Sequence, residues 1–141
     1  MNWTYQDKEF TSEQIGDYIG FVYIIHNLEN GMRYLGKKLF VSKVTRPPLK
    51  GKTRKRRSVK ESDWKTYFSS NDEISKIAAV TPEIFKREIL VLCLSRGQLS
   101  YFEAKMQFDY EVLLRDDFYN GIIQCRINRT HVKNLLDIQK T

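Results

Sequence analysis

Two tyrosines, Tyr23 and Tyr34, stand eleven positions apart on either side of the turn-rich segment NLENG. If Asn27 to Asn30 form a four-residue loop, His26 pairs with Gly31 and the register sets Tyr23 directly opposite Tyr34 on one face of a hairpin. Two phenols then converge. A phenol donates and accepts hydrogen bonds, and it takes a proton from water where its surroundings favour the ionised form. The same spacing also fits an aromatic cross-strand pair, which stabilises a hairpin by roughly 0.2–1 kcal/mol and does no chemistry. Strand alternation sends His26 to the face opposite Tyr23, and His131 lies in a polar stretch. Cys93 and Cys125 each stand alone in an apolar run, far from any paired-ligand spacing, and read as reduced core residues rather than a disulfide or zinc site.

A second chemical feature is charge. From Lys37 to Lys60 there are eleven Lys and Arg and no acid, while the remainder carries thirteen basic and seventeen acidic side chains. One segment therefore supplies the whole positive excess of the chain, whose net charge is +7. A block so concentrated suits an anionic polymer, because each cation set against a phosphate releases condensed counterions. It has no amphipathic period, which argues against a membrane surface. No stretch approaches the roughly 20 apolar residues of a membrane helix, and MNWTYQDKEF lacks the order of a signal peptide, so a soluble, cytoplasmic protein is expected.

The elements that must position these groups can be read from periodicity and turn residues. Residues 1–19 read as an N-terminal extension with a short helix capped by Thr11 or Ser12 and interrupted at Gly16 and Gly20. FVYIIH (21–26) and MRYLG (32–36) form the hairpin. Pro47, Pro48 and Gly51 exclude a continuous helix from the basic segment, which reads as an excursion inserted at 37–60. ESDWKTYF (61–68) predicts a helix capped by Ser62, with Trp64 and Phe68 on one face, and a second short helix follows at 72–80. FKREILVLCL (85–94) has the apolar run of a strand buried on both faces. Leu99, Phe102, Met106, Tyr110 and Leu113 mark an amphipathic helix to Leu114. Residues 122–127 read as a final short strand, and 128–141 as a C-terminal tail.

The string GFVYIIHNLENGMRYLG resembles the signature of the GIY-YIG nuclease superfamily, in which a G-I-Y-like strand leads through an N-x-x-N-G turn to a Y-I-G-like strand. Phe21, Val22 and Tyr23 stand where G-I-Y stands, with Gly20 one position early, and Tyr34, Leu35 and Gly36 stand where Y-I-G stands. The stretch after the hairpin is similar to stand-alone phage-type members. The resemblance implies an α/β (α+β) fold, a small mixed β-sheet of about three to four strands flanked by helices, spanning about 20–127. It implies a metal-dependent DNA endonuclease that hydrolyses phosphodiester bonds. Glu103 falls where the family places a glutamate that binds one divalent ion, magnesium or manganese, on the helix after the third strand. Asn120, in Tyr119-Asn120, matches an asparagine near the end of the domain and orients the site or merely turns the chain before Gly121. Tyr23 is the implied base, ionised with help from Lys37, Lys38 or the metal, and Tyr34 positions water or phosphate. The family's arginine has no clear match; Lys38 is the first choice, with Lys37, Arg46, Arg54, Arg56 and Arg57 as alternatives.

Within the basic segment, Lys37, Arg46, Lys52, Arg54, Lys55, Arg56, Arg57 and Lys60 are the expected contacts to DNA, most simply double-stranded. Two other readings remain open: a basic RNA- or DNA-binding module without catalysis, which explains the lysines but not the ordered tyrosines and glutamate, and a protein using the fold only as a packing unit. The target sequence, nicking against double-strand cleavage, and monomer against homodimer are left open.

Overall fold

The β-branched and aromatic run at 21–25 becomes the middle of β3 (Gly20–Asn27), a strand buried along nearly its whole length. Its two neighbours, both antiparallel, are β4 (Arg33–Leu39) and β7 (Phe85–Cys93). The computed structural model describes residues 2–54 and 56–139, with backbone alone at 44–46, 56–58, 134 and 136–139.

The N-terminal residues expected as a helical extension instead pair into this sheet. Strands β1 (Thr4–Tyr5) and β2 (Lys8–Glu9) form a hairpin whose two turn residues, Gln6 and Asp7, both have positive φ, as the tight mirror-image turns require. Strand β1 runs parallel to β7, which completes a five-stranded mixed sheet of order β2-β1-β7-β3-β4. The helix expected at Thr11 is a single 3₁₀ turn, Ser12–Gln14, closed by the Gln14 side chain accepting from the Thr11 amide at 2.8 Å. Trp3 and Phe10 lie in the core, and the Trp3 indole donates to the Trp64 carbonyl at 2.7 Å.

The hairpin loop is Leu28–Gly31 rather than 27–30, and His26 pairs with Arg33, not Gly31. Asn27 decides this: its amide donates to the Met32 carbonyl, its carbonyl accepts from Gly31, and its side chain accepts from Glu29. Gly31, at φ +75°, supplies the left-handed position and so belongs inside the turn. The register thus moves by two residues. Tyr23 faces Gly36 and Tyr34 faces Ile25, yet a shift of two keeps both tyrosines on the same face.

The basic excursion is a second, two-stranded antiparallel sheet, β5 (Val41–Arg46) and β6 (Arg56–Glu61). Val41, Val44, Thr45 and Val59 favour strands, and the prolines fall in the connection. Lys55 lies outside the described residues. The helix expected at 61–68 shrinks to a 3₁₀ turn, Trp64–Thr66. Its carbonyls have another partner: Arg87, buried in β7, donates through Nη1 to the Lys65 and Tyr67 carbonyls, each at 2.9 Å. Helix α1 (Asp72–Val80) forms as read, capped by Asn71.

After β7, Ser95 caps α2 (Arg96–Asp109), which begins three residues before the expected Leu99 and stops five before Leu114, where Glu111 turns left-handed at φ +55°. No strand forms at 122–127, and Cys125, expected in the core, is exposed, whereas Cys93 is buried. Part of the expected tail is α3 (Arg129–Gln139), whose His131 lies over Gly97 of α2. Trp3, Phe21, Tyr23, Phe40, Trp64 and Ile74 fill the core on one sheet face, and Val22, Ile24, Leu35, Leu99 and Val112 fill the other beneath α2.

Candidate active site

Tyr23 is fully buried, and its ring lies across β4 at Gly36, where a Cβ would stand 2.7 Å from the phenol oxygen. The absent side chain of Gly36 is what lets the hydroxyl reach this point. Tyr34 packs beside it with ring centroids 6.3 Å apart, and the Tyr34 hydroxyl shares a hydrogen bond of 3.1 Å with Ser70 Oγ. A third phenol, Tyr67, meets Tyr23 edge-on at 6.0 Å. Among the described residues the Tyr23 oxygen makes no well-formed hydrogen bond, and the Tyr67 hydroxyl beside it acts to keep its proton on. Burial pushes the Tyr23 pKa well above the usual phenol value, and Tyr67, Tyr34 and Glu103 add to that. Burial likewise raises Tyr34, with Ser70 pulling the other way.

Glu103 arrives from the opposite side of β4. Arg96, Ser100, Glu103 and Gln107 recur at i, i+4, i+7 and i+11 along α2, a single stripe. Gln107 donates to the Leu35 carbonyl at 3.0 Å. The Lys37 ammonium donates to Ser100 Oγ at 3.1 Å and stands 3.7 Å from the Glu103 carboxylate. Burial raises the Glu103 pKa and Lys37 lowers it in turn. The two faces can meet here because β4 is the last strand of the sheet, and the charge of Glu103 is felt by both Tyr23 and Tyr34.

Asn120 is a clamp on this edge. Its side chain accepts from the Leu35 amide at 3.0 Å and donates to the Leu35 carbonyl at 2.8 Å, as a neighbouring strand would. The preceding residues run along β4 as well: Arg33 donates to the Asp117 carbonyl, and the Tyr119 amide donates to Arg33. The Tyr119 hydroxyl accepts from Asn27 at 3.0 Å and so ties the same segment to the hairpin loop.

The structure brings together Tyr23, Tyr34, Lys37, Lys38 and Glu103, with Asn120 bonded to Leu35, the residue before Gly36. Lys38 shares the tyrosine face, but its ammonium is 2.6 Å from Asp63 and 4.3 Å above the Tyr67 ring. Lys37 is engaged by Glu103. Both lysines thus face carboxylates and not the Tyr23 oxygen, whose pKa burial raises. Lys52, Arg54 and Lys60 are exposed, and the side chains of Arg46, Arg56 and Arg57 lie outside the described ones. Sequence reading missed Tyr67, because Trp64 and Phe68 at helical spacing drew the stretch as a helix facing elsewhere. It also missed Arg87, hidden as one charge in a strand.

Residues 3–123 match the family model described as "Putative endonuclease segE, GIY-YIG domain". The chain belongs to the GIY-YIG endonucleases. It is thereby a phosphodiester hydrolase, and the match takes in β1, the tyrosine hairpin, Glu103 and Asn120 of this GIY-YIG nuclease, ending before α3. No curated protein and no solved structure matches the chain. Among the described residues, no helix of this endonuclease is long and apolar enough to cross a membrane.

Proposed function

We propose that this GIY-YIG nuclease hydrolyses phosphodiester bonds of double-stranded DNA at the β4 edge, with Glu103 holding a single divalent ion, magnesium or manganese. The observation that carries the reading is the Tyr23 hydroxyl, set over Gly36 at the β4 edge and within the field of Glu103. The donor set suits the ion. A partly buried carboxylate completed by water and phosphate oxygens is a common way of holding magnesium.

Glu103 would hold the ion, which would supply positive charge to the scissile phosphate. The chain does the rest. Tyr23 orients the attacking water by hydrogen bonding, and the water's proton passes to a non-bridging oxygen of the substrate phosphate as the phosphorus–oxygen bond to the leaving group breaks. Tyr34, half-buried and anchored to Ser70, holds water or phosphate at the entrance. Lys37 and Lys38 supply fixed positive charge for the equatorial oxygens of the transition state once phosphate competes with their carboxylate partners. The basic hairpin β5–β6, with Arg46, Lys52, Arg54, Lys55, Arg56, Arg57 and Lys60, grips the duplex backbone.

Plasmid nicking with and without EDTA tests this, run beside Glu103→Ala. Metal-dependent nicking by the native chain and none by the variant is expected. DNA binding without metal-dependent nicking would instead make the chain a non-catalytic binding module.

A further inference from the structure

Arg96 stands apart from the lysines and arginines proposed so far to meet DNA. It is outside the basic segment, at the first turn of α2, two turns before Glu103 on the same stripe. With Lys37, Lys38, Leu39 and Leu99 it lines a groove of about 330 Å³ that opens beside the tyrosine–glutamate edge. The three cations differ in what occupies them. Lys37 is held by Glu103 and Ser100, and Lys38 by Asp63 and the Tyr67 ring. Arg96 is exposed and has no ion-pair or hydrogen-bond partner among the described residues.

We propose that this groove is a second phosphate subsite, in which Arg96 binds a phosphodiester group flanking the scissile one. The inference rests on the β4 edge being the site of cleavage. A guanidinium offers a planar fork that matches two phosphate oxygens, and its charge persists at any working pH. Carried on the helix that carries Glu103, Arg96 fixes the strand relative to the carboxylate, so the contact sets which phosphate comes to rest at Tyr23. The apolar floor of Leu39 and Leu99 suits the sugar between two phosphates and offers no competing hydrogen-bond partner.

The test is the affinity for a labelled duplex, measured by anisotropy in EDTA at salt concentrations between about 50 and 200 mM. Arg96→Gln lowers the slope of log affinity against log salt by about 0.9, the value of one phosphate contact, while Arg96→Lys retains it. A duplex carrying a neutral methylphosphonate at one position near the mapped cut reproduces that loss in the native chain and adds nothing to it in Arg96→Gln. A native slope in Arg96→Gln overturns the subsite, as do methylphosphonate losses that remain additive at every position. Native affinity with lost cleavage also overturns it, by moving Arg96 into the chemical step. Failure of the cleavage reading looks different: the native chain then leaves the duplex intact with metal present, whatever Arg96 does to the salt slope.

Discussion

The Tyr23 hydroxyl is buried beside the Tyr67 phenol and makes no well-formed hydrogen bond among the described residues. Tyr23→Phe removes that oxygen and keeps the ring contacts with Trp3, Phe21 and Tyr67. The melting temperature should therefore stay nearly level, while the single-turnover cleavage rate falls at least roughly 100-fold, the size of loss that follows when a reacting group is misplaced. A rate equal to that of the native chain would return Tyr23 to a packing role. Glu103 carries a different signature. Burial raises its pKa and Lys37 lowers it, so a divalent ion must compete with a proton at a higher pH than at an ordinary glutamate. As pH falls, Mn²⁺ affinity should drop through that raised midpoint. Removing the lysine, as in Lys37→Met, takes away the influence that lowers the pKa and should move the midpoint further up. A midpoint unmoved by the substitution would show that Lys37 has no electrostatic hold on the carboxylate.

At the level of elements, the site exists because β4 is an edge that is only partly covered. Asn120 pairs with both backbone groups of Leu35, and Gln107 shares the carbonyl, so the strand is held straight up to the residue before Gly36. Asn120→Ala leaves a buried amide without its partner and should cost about 1–3 kcal/mol in unfolding free energy. Hydrogen exchange at the Leu35 amide should quicken more than at Ile24, inside β3. Equal protection at both would mean that the strand needs no clamp. The same scale explains what could be read in advance and what could not. Apolar runs at strand spacing and at helical spacing announced β3, β7, α1 and α2, since local pattern and burial agree there. The turn at 64–66 was not legible, because Arg87, about twenty residues later, takes the carbonyls that a helix would have used.

Across the whole molecule the positive charge lies on the inserted hairpin and the carboxylate on α2, joined through β4. Lys52, Arg54 and Lys60 are exposed, and each contributes charge rather than core. Changing all three to Gln should lower the slope of log affinity against log salt by up to about 2.7, at about 0.9 for each phosphate lost. The stability change should stay within about 0.5 kcal/mol for each substitution, as for other surface changes. A native slope accompanied by a large loss of stability would make the hairpin part of the fold and not a grip on DNA.

The order of residues along the chain was enough to determine the tyrosine hairpin, its shared face, the concentration of charge and the glutamate on its helix. These depend on periods of two and 3.6 and on turn chemistry, all of which act over short distances, and the tyrosines kept their common face even though the loop moved, because the register changed by an even number. Only the tertiary structure decided the partners. Lys38 goes to Asp63, Lys37 goes to Glu103, Tyr67 joins the two tyrosines, and Arg96 is left open beside them. Those pairings join residues 25 to 66 positions apart, where side chains on strands and helices compete through space for the same charge, and no local spacing ranks the competitors.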